Sequence, residues 1–239
     1  MAREGALAVL TDALELVHKT AKSTNDNAHK AVSFKMDVTE PTEVNYLAEK
    51  VLEQFCKVDR LVNNAGVLKL APLVGMVVEV RDKMIKVNIK RIPIVTKAVL
   101  PSMLKRKYGR TVNSSSVTGP LVADIGETTY AATKAAVCRF TRALALEVAR
   151  DGMTVNAICP GMIETDMVRT TAVETNPDRP QSAVNDLARR IPTGRLGTME
   201  ELGELVTFLA SDEARYTTGT PVLIDGRNTL PESGVFTLA

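Results

Sequence analysis

The sequence predicts an α/β fold in which a parallel sheet lies between two layers of helices. Short, largely apolar runs alternate with helical stretches along the whole 239-residue chain. This alternation is typical of βαβ units, whose strands pair in parallel and whose helices cover both faces of the sheet. Neither an internal repeat nor a low-complexity linker interrupts the pattern, so we expect one domain over residues 1–239.

Six strands are expected, each a short run that ends at a polar or turn-forming residue. In chain order they are Ala6–Leu10, Ala31–Met36, Arg60–Val62, Arg110–Asn113, Thr154–Ile158 and Pro221–Ile224. Because open parallel sheets bind ligands at the carboxyl ends of their strands, we expect the functional site where these runs end.

The segments between the strands have helix-forming compositions, and one of them has a clear start signal. Thr39–Thr42 offers an N-cap with Pro41 near the first turn, which opens a helix to about Phe55. The other predicted helices run from Asp12 to about Lys22 and over Glu79–Arg106, Thr128–Ala149 and Thr198–Ala210. Pro93 conflicts with the long helix, because a proline in a regular helix interior costs about 3 kcal/mol.

The polar segment Arg169–Arg190 is the least regular part of the chain and contains Pro177 and Pro180. It follows Pro160-Gly161 after a strand, so we interpret it as a mobile flap over the strand ends. The alternative is a solvated helical excursion.

Composition and charge exclude several classes of partner. The net charge of +2 comes without a basic run that could bind nucleic acid. No apolar run approaches the ~18 residues that a membrane span needs, so we expect no membrane partner. The three cysteines, Cys56, Cys138 and Cys159, lack metal-ligand spacing. We therefore expect no metal, reduced thiols and a cytoplasmic location.

The chemistry of the chain centres on the stretch from Ser114 to Lys134. Tyr130 and Lys134 stand four positions apart in a helical segment and therefore share one face of the helix. A lysine ammonium beside a phenol favours the phenolate, which lowers the pKa of the phenol towards the range of an acid/base catalyst. Ser116 follows a predicted strand, so a strand end and a helix start can bring its hydroxyl back to the phenol.

Several short motifs occur in an order that resembles one enzyme family. They are Asp37-Val38, Asn63-Asn64-Ala65-Gly66, Asn88, Ser116, Tyr130 with Lys134, Pro160-Gly161 and Asp225-Gly226. Over essentially the whole chain this set resembles the short-chain dehydrogenase/reductases of the classical type. The resemblance implies a Rossmann-like doubly wound parallel sheet in three α/β/α layers. It also implies hydride transfer between a nicotinamide cofactor and a small secondary alcohol or ketone, in a homodimer or homotetramer.

The resemblance implies catalytic roles for four residues. Tyr130 would donate or accept the substrate proton, Lys134 would lower the pKa of Tyr130 and hold the nicotinamide ribose, and Ser116 would orient the substrate oxygen. Asn88 would interrupt its helix and position a water that relays protons to Lys134. The gap from Ser116 to Tyr130 is one residue longer than the commonest family spacing, so Ser115 remains an alternative.

Two groups of residues match the cofactor site of the family, one for each half of the dinucleotide. The adenosine group comprises Asp37, Val38, Asn64, Ala65 and Gly66, and the nicotinamide group comprises Tyr130, Lys134, Pro160, Gly161, Ile163 and Thr165. In the first group a small residue and a glycine let a cofactor approach the backbone closely.

Asp12 determines which nicotinamide cofactor we predict. It follows the first predicted strand, where an acidic side chain can accept hydrogen bonds from the ribose hydroxyls and would repel a 2′-phosphate. We therefore predict NAD in preference to NADP. The alternative role for Asp12 is a helix N-cap.

One element of the family pattern is absent from the sequence. The family's first strand and its glycine-rich turn, T-G-x-x-x-G-x-G, have no counterpart in residues 1–239, and Ala6–Leu10 aligns with the family's second strand. That first strand is interior in the family sheet, and the turn holds the pyrophosphate. We expect either a sequence truncated relative to the working protein or a relative with an impaired cofactor site.

These departures leave two classes of function open. Arg91 and Arg227 also stand where relatives usually carry glycine. The leading hypothesis is an NAD(P)-dependent oxidoreductase. The alternative is a non-catalytic or cofactor-impaired relative that acts as an interaction protein through the helices Glu79–Arg106 and Thr128–Ala149. A serine hydrolase fits less well, because no G-x-S-x-G elbow accompanies the serines.

Overall fold

The predicted parallel α/β architecture is confirmed by the computed structural model, which describes residues 1–229 and contains six strands in that range. The strands are β1 (Ala8–Asp12), β2 (Ala31–Lys35), β3 (Arg60–Asn63), β4 (Gly109–Ser114), β5 (Met153–Pro160) and β6 (Pro221–Ile224). All pair in parallel, as expected for strands joined through helices. The first strand begins and ends two residues later than predicted, so Asp12 is its last residue.

The sheet consists of two hydrogen-bonded parts. Strand β1 pairs with β2, and β3, β4, β5 and β6 form the second part in that order. Among the described strands no ladder joins β1 to β3, which is where the sequence pattern lacks the family's first strand. The two parts are connected by packing instead, since Met36, Val44 and Leu47 form a cluster that also contacts Ile94 and Val95.

Eight α-helices lie within the described residues. They are α1 (Leu16–Asp26), α2 (Pro41–Phe55), α3 (Val78–Ile85), α4 (Arg91–Arg106), α5 (Thr128–Val148), α6 (Asp166–Thr175), α7 (Pro180–Arg190) and α8 (Met199–Leu209). Strand β5 shows how the helices form two layers: Val155 packs with Val99 and Leu144 of α4 and α5, whereas Ile158 packs with Leu209 of α8. Side chains alternate between the two faces of a sheet along a strand, and Val155 and Ile158 are three positions apart. The two clusters therefore lie on opposite faces of the sheet.

The long helix predicted over residues 79–106 is interrupted. A single π turn, Lys86–Lys90, separates α3 from α4. Pro93 is the third residue of α4, so its missing N–H falls close to the point where the regular hydrogen-bond ladder is already broken. Pro101 lies further along, in the interior of α4.

The segment predicted as a flap is helical and forms α6 and α7, which pack on each other. Thr165 caps α6, and Pro180 begins α7 at the position where proline is best tolerated. An ion pair of 2.8 Å between Lys69 Nζ and Glu174 Oε1 joins α6 to the loop after β3. Within residues 1–229, none of the helices has the length and apolarity to cross a membrane.

Candidate active site

The carboxyl ends of β3, β4 and β5 bring the predicted catalytic residues together. Ser116 lies two residues beyond β4, and Tyr130 and Lys134 lie in the first two turns of α5. Lys134 Nζ is 5.5 Å from the centre of the Tyr130 ring. Both side chains are buried, so the phenol and the amine share a site of low polarity.

The loop between Ser116 and Tyr130 is fixed by hydrogen bonds at both ends. Val117 N donates to Pro160 O at 3.0 Å, which ties the start of the loop to the end of β5. At its other end the buried Glu127 side chain accepts hydrogen bonds from Thr118 Oγ1 at 3.3 Å and Asp124 N at 3.0 Å. The strand end is therefore held against the start of α5, as the sequence predicted.

The structure separates Ser116 from the alternative, Ser115. The Ser115 hydroxyl is buried and donates to Lys134 O at 2.7 Å, so it serves to join β4 to α5. Ser116 Oγ accepts from Thr118 N at 3.1 Å, and the Ser116 hydroxyl lies close enough to the Tyr130 phenol to lower its pKa. Ser116 is thus the serine that faces the phenol.

The pKa of Tyr130 differs from the sequence-based expectation. Burial raises the pKa of Tyr130, the nearby Ser116 hydroxyl lowers it, and the Glu127 carboxylate raises it again. Lys134 was expected to lower this pKa, but Lys134 Nζ donates to Ser114 O at 3.1 Å and not to the phenol. In this geometry the neutral, proton-donating form of Tyr130 is favoured.

Lys134 is a strongly perturbed base. Burial, followed by the positive charge of Arg91, lowers the pKa of Lys134 to about 8, while negative charge on Cys159 and Cys138 raises it. A lysine with a pKa in this range can exchange a proton near neutral pH, which an ordinary lysine does not.

This perturbation predicts a pH dependence of stability. Between about pH 8 and the usual pKa of 10.5, the unfolded chain holds a proton that folded Lys134 has lost. The contribution of Lys134 to the free energy of unfolding therefore rises with pH, by at most about 2 kcal/mol between pH ~8 and pH ~9.5. Thermal melts should show this slope in the parent protein and a flatter one in Lys134→Met. Removal of the exposed Lys97 by Lys97→Met should leave the slope unchanged, and an equal slope in Lys134→Met would contradict the assignment.

Asn88 shapes the turn that faces Lys134. It lies in the π turn, where its Oδ1 accepts from Val67 N at 2.9 Å and its Nδ2 donates to Val67 O at 2.9 Å and Thr133 Oγ1 at 3.2 Å. A Cβ on the neighbouring Gly66 would stand 3.5 Å from Lys134 Nζ and 3.6 Å from Asn88 Oδ1. The Asn88 side chain therefore positions the Gly66 turn, and a water relay through Asn88 stays a prediction.

The adenosine group follows the carboxyl ends of β2 and β3. Asn64 and Ala65 are exposed just after β3, and Asn64 Oδ1 accepts from Ser114 Oγ at 2.8 Å. Asp37 is turned into its own loop, where the hydrogen bond from the Thr39 hydroxyl lowers its pKa. Val38 packs against the cluster that contains Met36, Val44 and Leu47.

Asp12 is exposed at the carboxyl end of β1. Its Oδ1 accepts from Leu14 N at 2.9 Å, so the side chain closes a local turn. The residue at the N-cap of α1 is Glu15, which means that Asp12 does not have the alternative capping role. The role of Asp12 as a ribose acceptor stays a prediction.

The nicotinamide group follows β5. Gly161 N donates to Ile224 O at 3.0 Å, and a Cβ at Gly161 would meet Asp225 Cβ at 2.8 Å. The absence of a side chain at Gly161 therefore lets β5 and β6 end side by side. Ile163 is buried, and Thr165 Oγ1 accepts from Val168 N at 3.4 Å as the cap of α6.

Comparison with known sequences identifies the family. The family model described as enoyl-(acyl carrier protein) reductase matches residues 1–226. The chain belongs to the short-chain dehydrogenase/reductase family. This short-chain dehydrogenase/reductase is 47% identical over 232 residues to the oxidoreductase UcpA of Salmonella typhimurium, a match that covers 97% of this chain and 88% of UcpA.

Two further relatives support the assignment. The 3-oxoacyl-(acyl-carrier-protein) reductase FabG of Thermotoga maritima is 38% identical over 226 residues, which cover 94% of this chain and 88% of FabG. A solved actinorhodin polyketide ketoreductase with NADPH has a TM-score of 0.91 at 31% identity, and the match covers 96% of this chain and 90% of that one. This short-chain dehydrogenase/reductase is therefore an enzyme with a Rossmann-like fold.

The family and its NADPH-bound member indicate a nicotinamide cofactor. In this short-chain dehydrogenase/reductase the nicotinamide half has residues that fit: the bare Gly66 turn leaves space beside Lys134 Nζ, and the phenol of Tyr130 lies next to it. The T-G-x-x-x-G-x-G turn, which holds the pyrophosphate in the family, does not occur in residues 1–239. The residues present therefore fit the nicotinamide half of the cofactor only.

Three residues of the site were not predicted as functional. Glu127 fixes the loop and raises the pKa of Tyr130, Thr133 accepts from Asn88, and Arg91 lies buried beside the Gly66 turn. Arg91 alone carried a signal, because it departs from the family pattern. The roles of Glu127 and Thr133 depend on burial and on hydrogen-bond partners, and neither property can be read from the residue type.

Proposed function

We propose that this short-chain dehydrogenase/reductase interconverts a secondary alcohol and a ketone with NAD as its preferred cofactor. The observation that carries the proposal is the convergence of the Ser116 hydroxyl, the Tyr130 phenol and the Lys134 amine at one edge of the sheet. Hydride transfer to a ketone develops negative charge on oxygen, so a hydroxyl donor and an acid beside it lower the barrier.

The residues of the chain then divide the work. Ser116 donates a hydrogen bond that orients the substrate oxygen, and Tyr130 gives its phenolic proton to that oxygen in the direction of reduction. Burial raises the pKa of Tyr130, which keeps this proton in place until charge develops. Lys134 holds the nicotinamide ribose and exchanges a proton with the site. When bound, the nicotinamide supplies or accepts the hydride.

The preference for NAD follows from Asp12 and is a separate prediction. Its exposed carboxylate at the end of β1 would repel the 2′-phosphate of NADP. Asp12→Asn should reduce the ratio of kcat/KM for NADH over NADPH by at least about tenfold, the scale of one lost repulsion or hydrogen bond. The matched change Asp26→Asn, at the exposed end of α1, should leave the ratio unchanged. A parent enzyme that already uses NADPH better would show that Asp12 does not set the preference.

We also propose that the protein forms a homodimer or homotetramer in the cytoplasm. Large apolar side chains are exposed on two helices, Leu146 on α5 and Phe208 on α8, and a subunit interface that covered them would remove apolar surface from water. The three cysteines are free, which suits a reducing compartment. Light scattering after size-exclusion chromatography measures the oligomeric state.

The test of the proposed function is a screen of secondary alcohols and ketones with cofactor absorbance as the readout. The proposal expects turnover with at least one substrate pair and with both directions of hydride transfer. Absence of turnover across the screen, together with no change of NADH fluorescence on mixing, would favour the non-catalytic alternative.

A further inference from the structure

Arg91 is a buried cation without an anionic partner among residues 1–229. It is the first residue of α4, and its side chain is 1% exposed. Its Nη2 donates to Ala65 O, and its Nη1 donates to Asn63 Oδ1 at 3.4 Å. Its Nε has no hydrogen-bond partner, and none of the ion pairs in the described part of the chain includes Arg91. An uncompensated buried charge is costly, so stability does not explain why the residue is there.

The contacts of Arg91 place it on one side of the Gly66 turn. Asn88 and Arg91 are three positions apart and face the same turn from adjacent parts of one helix. Asn88 holds both backbone polar groups of Val67, and Arg91 holds the carbonyl of Ala65. The two side chains therefore grip the residues immediately before and after Gly66, the turn that lies against Lys134 Nζ.

Four titratable side chains lie around Lys134, and they differ in charge. Tyr130 and Cys138 lie on its own helix, Cys159 lies on β5, and Arg91 lies on α4. The phenol of Tyr130 is neutral, because burial raises its pKa. The hydrogen bond with Cys159 lowers the pKa of the Cys138 thiol, so the cysteine pair is the source of negative charge near Lys134, and it acts against Arg91. Burial lowers the pKa of Arg91 to about 10, so its guanidinium is still charged at neutral pH. Two cations consequently share one buried region, and each disfavours the charge of the other.

We propose that Arg91 is a positioning residue that braces the Ala65–Val67 turn and places its positive charge beside the buried amine of Lys134. The inference rests on the proposed function only in counting Lys134 as part of the active site. This role explains why a cation is buried here. A like charge makes it easier for Lys134 to lose its proton, and an acid/base group is most effective when it can exchange its proton near the working pH.

The test measures the titration of Lys134 in the full chain, independently of activity. Lysine side chains carrying ¹³C at Cε are followed by NMR as pH is raised, and the Lys134 signal is assigned from its loss in Lys134→Gln. In Arg91→Met the titration midpoint of Lys134 should rise by at least about half a pH unit, since a nearby like charge is removed. The matched control Lys90→Met removes an exposed positive charge from the adjacent residue and should leave the midpoint in place.

Arg91→Gln provides a second neutral variant if Arg91→Met does not fold, and thermal melts establish which variants are folded. An unchanged midpoint in a folded neutral variant would overturn the proposal, as would an equal rise in Lys90→Met. A raised midpoint in a protein that turns over no substrate would support the role of Arg91 and count against the proposed function. Turnover together with an unchanged midpoint would support the proposed function and contradict the role of Arg91.

Discussion

Replacing Tyr130 with phenylalanine is expected to lower turnover by at least ~100-fold, the scale of general acid catalysis. The Tyr130 ring lies 5.5 Å from Lys134 Nζ, and the Ser116 hydroxyl acts on its phenol. In the proposed mechanism Tyr130 is the acid that gives a proton to the substrate oxygen. The ring remains in Tyr130→Phe, so packing should change little and cofactor affinity should be nearly unaltered. Steady-state kinetics together with calorimetric titration of NADH separate the two effects.

The matched control for this prediction is Tyr216→Phe, which removes a phenolic hydroxyl from a fully exposed tyrosine. It should retain the activity of the parent enzyme. A Tyr130→Phe enzyme that retained most of its turnover would remove Tyr130 from the mechanism, whereas a parallel loss in both variants would indicate an effect on the preparation.

The fold was predictable because its elements have local signals. The run Pro221–Ile224 coincides with β6, and the helix predicted to begin at Thr128 ends at Val148, one residue before the predicted end. The segment Arg169–Arg190 was harder, because its polarity and prolines also occur in loops. In the structure Pro180 starts a helix, so the residue that indicated irregularity is a start signal.

The positions of the candidate catalytic residues were predictable, but their ionisation was not. Tyr130 and Lys134 share a helix face by spacing alone. The pKa of Tyr130 depends instead on how deeply the phenol is buried and on Glu127, three residues earlier, and burial raises it. Desolvation is a property of the packed structure, so a sequence pattern that places a lysine near a phenol does not determine the sign of the shift.

Gly119 is the residue at which a single added methyl group should damage both the fold and the site. Its φ is +105°, a conformation that side chains other than glycine rarely adopt. A Cβ there would also lie 2.3 Å from Ala131 O and 2.8 Å from Ala135 N. Both atoms belong to the backbone of α5, which cannot rotate away as a flexible side chain could.

Gly119→Ala should therefore push the loop that carries Ser116 and Thr118 away from α5. We expect a loss of about 2–4 kcal/mol in the free energy of unfolding, the range for strained backbone combined with overpacking. Turnover in the surviving folded fraction should fall as well, because Ser116 would no longer meet the phenol. Gly75→Ala is the control, since a Cβ at Gly75 meets nothing within 4 Å and should change stability by no more than about 0.5 kcal/mol. Urea unfolding and steady-state kinetics on both variants test this prediction. If Gly119→Ala were as stable and as active as Gly75→Ala, the contact between Gly119 and α5 would not be what holds Ser116 in place.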